Sequence, residues 1–481
     1  MLRAGRGGPS ATRAVACVGR VVFGAGPAGL PVGRAQARRH GRCMAELQRR
    51  SRLGAVRRHS SERRNPGMKI REVLASTGLS GYFNKDLLAV KAGARANGSF
   101  YDGPPVTAGY THIVQAGAVL SVMLLLDDGS VATGECADVI FSGLAGRDPL
   151  FVPTRHLPLF ETVLRDWLVG RDVSAFRVHA EEADRMSVGG RRLHTAVRYG
   201  LTQALLAATA LACRQTPAEV IAREYAAPMA AQPTGILASC HRGDWLQFDR
   251  VVMKQAAALP HASFTLAADL GPGANVLMDY TRAIAQRIGE VGAPGYVPRI
   301  HLDLYGTLGD LYGRDVDGLA DFLTRLGDAA QPFDLMIESP VIADSRAAQI
   351  DMLGRLKAGL RARGCSVRLI ADEWCNTLED TRAFAEAGAC DLVQVKTPDL
   401  GGINNSIEAV LLCRSKGMGC CLGGSANETD LSARMTAQIA LATGPDYLMS
   451  KPGIGADEGM MILTNEMRRT LALIRHHAAR A

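Results

Sequence analysis

Four short apolar runs each close on a polar residue that could do chemistry: Ile300-His301-Leu302-Asp303, Leu335-Met336-Ile337-Glu338, Leu369-Ile370-Ala371-Asp372 and Leu392-Val393-Gln394-Val395-Lys396. Brought to one pocket, Asp303, Glu338 and Asp372 would hold a hard divalent cation such as Mg²⁺, which prefers oxygen ligands and keeps positions for water and substrate. Such an ion takes up charge from a carboxylate substrate and favours the dianion formed when a proton leaves the adjacent carbon. Lys396 is placed to take that proton, because desolvation and a nearby cation both lower an ammonium pKa. Gln394, two residues before Lys396 on the same strand, points to the same side. It reads as a substrate-binding amide or as a satisfied core amide. His261, in Leu259-Pro260-His261, reads as a second base or as a structural histidine.

The steps between the four end residues are 35, 34 and 24, the rhythm of a buried strand followed by a covering helix. That rhythm predicts a β/α barrel, whose strands place the residues at their C-terminal ends around one mouth. Helical stripes lie between the runs: Leu319, Phe322, Leu323 and Leu326, then Ile350, Leu353, Leu356 and Leu360. The runs Gly419–Gly424 and Tyr447–Pro452 would complete the barrel. Upstream, Thr111–Glu135 reads as antiparallel strands turned at Asp128-Gly129, and Arg192–Leu211 has helical periodicity. The expected order is a basic, disordered extension at 1–67, an α+β domain at 68–227 and the barrel at 228–481.

The net charge of +8 conceals a division, since residues 1–67 hold 15 Arg, no Lys and only Glu46 and Glu62 as acids. The remainder, with 40 basic and 45 acidic residues, offers no basic footprint for nucleic acid. The Arg-, Gly- and Ala-rich composition before Met68 has the character of a disordered segment and loosely that of an organelle transit peptide. Met68 reads as a plausible start of the folded chain. Gly24-Ala25-Gly26-Pro27-Ala28-Gly29 spells a dinucleotide fingerprint, but no acidic residue follows at the required distance and no second βα unit is visible. No run of 18 uncharged apolar residues argues for a membrane span. The eleven cysteines form no C-x-x-C pair or regular framework, the usage of a reduced, cytoplasmic protein.

From Met68 to about Leu473 the chain resembles methylaspartate ammonia-lyase of the enolase superfamily. The resemblance is carried by Asn97–Thr107, Gly146–Leu150, Arg192–Gly200, His301–Thr307, Ala371–Thr377, Val395–Gly402, Lys451-Pro452-Gly453 and Asp457–Met461. It implies an α+β capping domain on a modified TIM-type β/α barrel, usually as a homodimer. It also implies loss of ammonia from L-threo-3-methylaspartate to give mesaconate through an aci-carboxylate intermediate, with Mg²⁺ and usually K⁺. By resemblance Asp303, Glu338 and Asp372 are the metal ligands and Lys396 removes the C3 proton. His261 serves the opposite face, and Gln394 binds substrate.

Two departures qualify this. The family's Gln-Ser-Gly-Asp-Asp is replaced by Ser239-Cys240-His241-Arg242-Gly243, so that Ser239 stands where a substrate-binding glutamine is expected. Its Gly-Gly-Thr-Cys-Asn-Glu-Thr becomes Gly423-Gly424-Ser425-Ala426-Asn427-Glu428-Thr429. Ser425 keeps a hydroxyl and Ala426 a backbone N–H, whereas an unmatched carboxylate contact at Ser239 would cost about 1.5–3 kcal/mol. Arg242 could replace it with a charged contact that suits a different or larger acid. The alternatives are therefore a superfamily enzyme acting on a related amino or hydroxy acid, or a non-catalytic barrel protein. The latter has no reason to keep a cluster of buried charges.

Overall fold

The computed structural model describes residues 67–480. The basic extension and the glycine motif within it lie outside the described residues. The described chain opens with a three-stranded antiparallel sheet in which Val114–Leu126 pairs with Ile70–Lys85 on one side and Val131–Cys136 on the other. From Leu120 to Leu126 burial alternates with every second residue, so Leu120, Val122, Leu124 and Leu126 face the core. The expected turn at Asp128-Gly129 joins the second and third strands, with Gly129 at φ +84°.

The expected helix after Arg192 runs from Thr195 to Cys213, with the His194 ring accepting from Ala196 N at its start. It lies on the sheet so closely that a Cβ on Gly134 would sit 2.0 Å from the Gly200 carbonyl oxygen. Glycine at both positions is what allows the contact. Length and composition alone would let this helix cross a membrane, yet 78% of its apolar window is buried in the fold.

Eight parallel strands follow and close into a barrel: Ile236–Leu237, Ala258–Ser263, Arg299–Asp303, Leu335–Glu338, Arg368–Ala371, Leu392–Lys396, Gly419–Gly423 and Tyr447–Met449. They are called barrel strands one to eight in that order. The third and fourth pair in a register that sets Asp303 beside Glu338. The helices between them bury the expected stripes: Leu319, Phe322, Leu323 and Leu326 in Val316–Ala329, and Leu353, Leu356 and Leu360 in Arg346–Ala362. Side-chain caps fix their starts, with Asp315 accepting from Asp317 N and Gly318 N, and Ser345 accepting from Ala348 N. All nine described cysteines are free thiols and eight are buried.

Candidate active site

The C-terminal ends of the barrel strands open on a cavity of about 190 Å³. Ser239, His261, Asp303, Glu338, Gln394, Lys396, Ser425 and Ala426 all line it. Asp372, the remaining residue expected there, stands directly behind Lys396. The wall opposite the barrel comes from the N-terminal sheet and its loops, through Tyr82, Phe83, Lys85, Ile140, Phe141 and Arg147.

Strand order fixes the arrangement around the mouth. His261 belongs to strand two and Lys396 to strand six, four steps apart in a closed ring of eight, so they face one another across the cavity. Asp303 and Glu338 end strands three and four, and Asp372 follows strand five. The three carboxylates thus occupy the arc between Lys396 and His261. Ser239 after strand one and Ser425 after strand seven close the other arc.

His261 is aimed by a bulge. In the pairing of strands two and three, His301 is opposite Pro260 and Leu302 is opposite Ala262, which leaves His261 without a register partner. Its φ is +48°, and Tyr305, Ser339 and Trp374, each one or two residues beyond a carboxylate of the arc, are also left-handed at +47°, +45° and +64°. Backbone strain of about 1–3 kcal/mol per residue collects at the mouth of the barrel.

The acids have different surroundings. Burial pushes the Asp303 carboxyl well above its ordinary range, and the charges of Glu338, Glu373 and Asp372 push it further. Burial acts in the same direction on Glu338, but His261 and His301 more than offset it and hold Glu338 below the ordinary range. His301 Nε2 lies 3.0 Å from Glu338 Oε2 and His261 Nε2 lies 3.5 Å away, with the two rings stacked at 4.9 Å. Gln394 donates to the same Glu338 oxygen at 3.0 Å and leaves its own buried Oε1 without a donor. Glu373, pushed up to about 7 by burial and then by Asp372, accepts from Ser339 Oγ.

Asp372 is turned toward positive charge. It accepts from Lys396 Nζ at 2.7 Å and meets Arg147 at 3.4 Å, while Arg147 Nε donates to Asp399 at 2.7 Å. The protein groups around Lys396, without a cation, act on it in opposite directions. Burial does lower it, but Asp372, with help from Asp399 and Glu373, outweighs burial and Lys396 is held above its ordinary value.

The donor chemistry fits a hard cation. Buried carboxylates crowd one arc, and among the described residues Asp303 has only His261, at 3.8 Å, within ion-pair range and the Gln394 oxygen has no partner. Among the described residues the group whose ligand atoms lie within 4.8 Å of one another is His261, His301 and Glu338, and the expected Asp372 is instead turned to Lys396 and Arg147. Arg147, Tyr305, His301 and Glu373 escaped the sequence reading as site residues. All four lie in segments that carry the family resemblance, and His301 has a further signal in sharing the inward side of its strand with Asp303.

Sequence models of the methylaspartate ammonia-lyase N-terminus and C-terminus match residues 68–226 and 228–476. The chain belongs to the methylaspartate ammonia-lyase family. It is 45% identical over 415 residues to methylaspartate ammonia-lyase 2 of Carboxydothermus hydrogenoformans, covering 86% of this chain and 100% of that one. To the Clostridium tetanomorphum methylaspartate ammonia-lyase it is 42% identical over 409 residues, covering 85% and 99%. The Mg complex of β-methylaspartase from that organism superposes with a TM-score of 0.80 at 42% identity, covering 85% of this chain and 100% of that one. Muconate cycloisomerase of Pseudomonas fluorescens, with a TM-score of 0.55 at 15% identity over 78% of this chain and 84% of that one, shares the fold alone. The closed barrel of eight parallel strands with an α+β domain before it is the architecture the sequence led us to expect.

Proposed function

We propose that this lyase eliminates ammonia from L-threo-3-methylaspartate to give mesaconate, with residues 68–227 capping the catalytic barrel of 228–481. The observation that carries the reading is the placement of Lys396 and His261 on opposite strands, with the three carboxylates on the arc between them. A substrate carboxylate directed at that arc presents the faces of its adjacent carbon to the two bases. Lys396 takes the C3 proton of the threo epimer, and His261 serves the other face. Gln394, Ser425, the backbone of Ala426 and Ser239 orient the rest of the substrate by hydrogen bonds.

Asp303, Glu338 and Asp372 would hold Mg²⁺, which would supply positive charge to the substrate carboxylate and draw on the Asp372 charge that keeps Lys396 an ammonium. Before Lys396 can accept a proton it must release one, and the nearby Arg147 guanidinium favours that release. K⁺ as monovalent activator, a homodimeric assembly and a cytoplasmic setting complete the reading by family likeness.

The test is the full chain with Mg²⁺, K⁺ and L-threo-3-methylaspartate, followed by the ultraviolet absorbance of the conjugated product. Appearance of mesaconate is expected. Folded, Mg²⁺-binding protein that forms none would overturn the substrate assignment.

A further inference from the structure

Two cations in the cavity wall have no role in the chemistry above. Lys85 ends the first strand of the N-terminal sheet, and Arg242 lies in the turn after barrel strand one. Both line the cavity that holds Lys396. Among the described residues the Lys85 ammonium forms no ion pair. It stands instead over the rings of Phe83 and Tyr101, at 5.6 and 5.5 Å from their centroids.

Arg242 is held in place on two sides. Its guanidinium lies 4.9 Å from the Phe264 ring centroid, and one Nη donates to Asp269 at 2.8 Å. The other, Nη1, is buried without a hydrogen-bond partner. Asp269 spends its second oxygen on the backbone N–H of Leu266 at 3.2 Å, so this corner carries two cations against one carboxylate. The opposite corner, with Asp303 and Glu338, is acidic. Lys396 and Arg147 are already matched there by Asp372 and Asp399.

We propose that Lys85 and Arg242 form an anion-binding wall that selects amino acids carrying a second carboxylate at the end remote from the acidic arc. The proposal rests on the reaction above only for which end of the substrate faces Lys396. Arg242 and Lys85 place two positive charges in one cavity wall. A guanidinium fixed by stacking and by Asp269 loses little freedom when it binds. Ser239 lines the same cavity as this wall, and the spacing between the two carboxylates is read by Lys85 and Arg242.

The experiment titrates full-length, Mg²⁺-loaded protein by calorimetry with succinate, methylsuccinate, glutarate and the monoacid butyrate. The wild type should rank the diacids by length and bind the best of them at least about tenfold more tightly than butyrate. Arg242→Met and Lys85→Met should each weaken that diacid about tenfold, and the double variant should lose the ranking. Arg242→Lys should restore part of it, which separates lost charge from lost structure, and circular dichroism checks folding. Unchanged diacid affinity and ranking in a folded double variant would overturn the wall. Turnover of 3-methylaspartate in the same samples reports on the lyase reading separately. Intact discrimination without turnover would sink the reaction and leave the wall.

Discussion

Lys396 donates a 2.7 Å hydrogen bond to Asp372, so the proposed base and one of the acids proposed to hold the cation share a proton-bearing contact. The pairing couples cation binding to the readiness of the lysine. It also means that substitutions at the two positions should have distinct signatures.

Lys396→Ala removes the proposed base and the 2.7 Å partner of Asp372 while leaving all three carboxylates in place. Turnover of the threo substrate should fall by about 10²–10⁴, the range for a positioned proton-transfer group. Mg²⁺ binding, measured by titration of the folded variant, should persist. Rates comparable with the parent would remove Lys396 from the role of base.

The acidic arc predicts opposite stability effects with and without metal. Burial and neighbouring charge hold Asp303 far from its preferred ionisation in the absence of a cation. Asp303→Asn should therefore raise the melting temperature in the presence of a chelator. Parent protein should gain about 2.7 kcal/mol when Mg²⁺ is a hundredfold above its dissociation constant, and the variant should lose most of this gain. Thermal melts with chelator and with Mg²⁺ check both signs, and equal Mg²⁺ responses would exclude Asp303 as a ligand.

Beneath the seventh strand's loop, Lys451 forms a fully buried pair with Glu428, and also donates to Thr397 at 3.1 Å. Glu428 accepts from Ser425 N at 2.8 Å and from Tyr199. This cluster fixes both the loop that carries Ser425 and the residue next to Lys396. Lys451→Met should cost about 3–5 kcal/mol, because it leaves a buried carboxylate uncompensated, while Lys451→Met with Glu428→Gln should cost less. Urea unfolding of the three proteins measures the difference. Equal losses would show that the pair is not energetically coupled.

The parts of this site that were legible were those at strand ends. A buried run of four or five residues that closes on Asp303, Glu338 or Lys396 has little room for another reading, and strand phase does the rest. The long first strand was missed because only Ile70, Val73 and Asn84 among its sixteen residues are buried, leaving no alternation to read. Arg147 was hidden for another reason. Its partners Asp372 and Asp399 lie 225 and 252 positions away, and only the closed barrel beneath the N-terminal layer brings them together. Lys85 was hidden in the same way, whereas Arg242 was already legible as a charged replacement for the missing glutamine, and the fold puts both into one cavity wall. At Lys396 the local pattern announced the burial that lowers an ammonium pKa but not Asp372, the carboxylate that opposes it.

Acid should loosen the layer over the cavity through Asp86, next to Lys85. Burial works against the Asp86 charge, but hydrogen bonds from Thr107 Oγ1, Thr107 N, Val106 N and Ala89 N, at 2.6, 2.8, 2.6 and 3.3 Å, more than offset it. The folded state therefore holds this carboxyl below its ordinary value. A depressed carboxyl contributes stability that is fully present above the unfolded value, near 3.9, and is lost as pH falls through the folded one. Asp86→Asn should destabilise the protein by about 0.5–2 kcal/mol at neutral pH, as for loss of a helix N-cap. As pH falls below about 4 the parent should lose stability faster than the variant, and the two curves should converge. Chemical unfolding between pH 7 and pH 3 checks the slope. A constant gap across that range would mean that Asp86 holds the segment through shape and not through its charge.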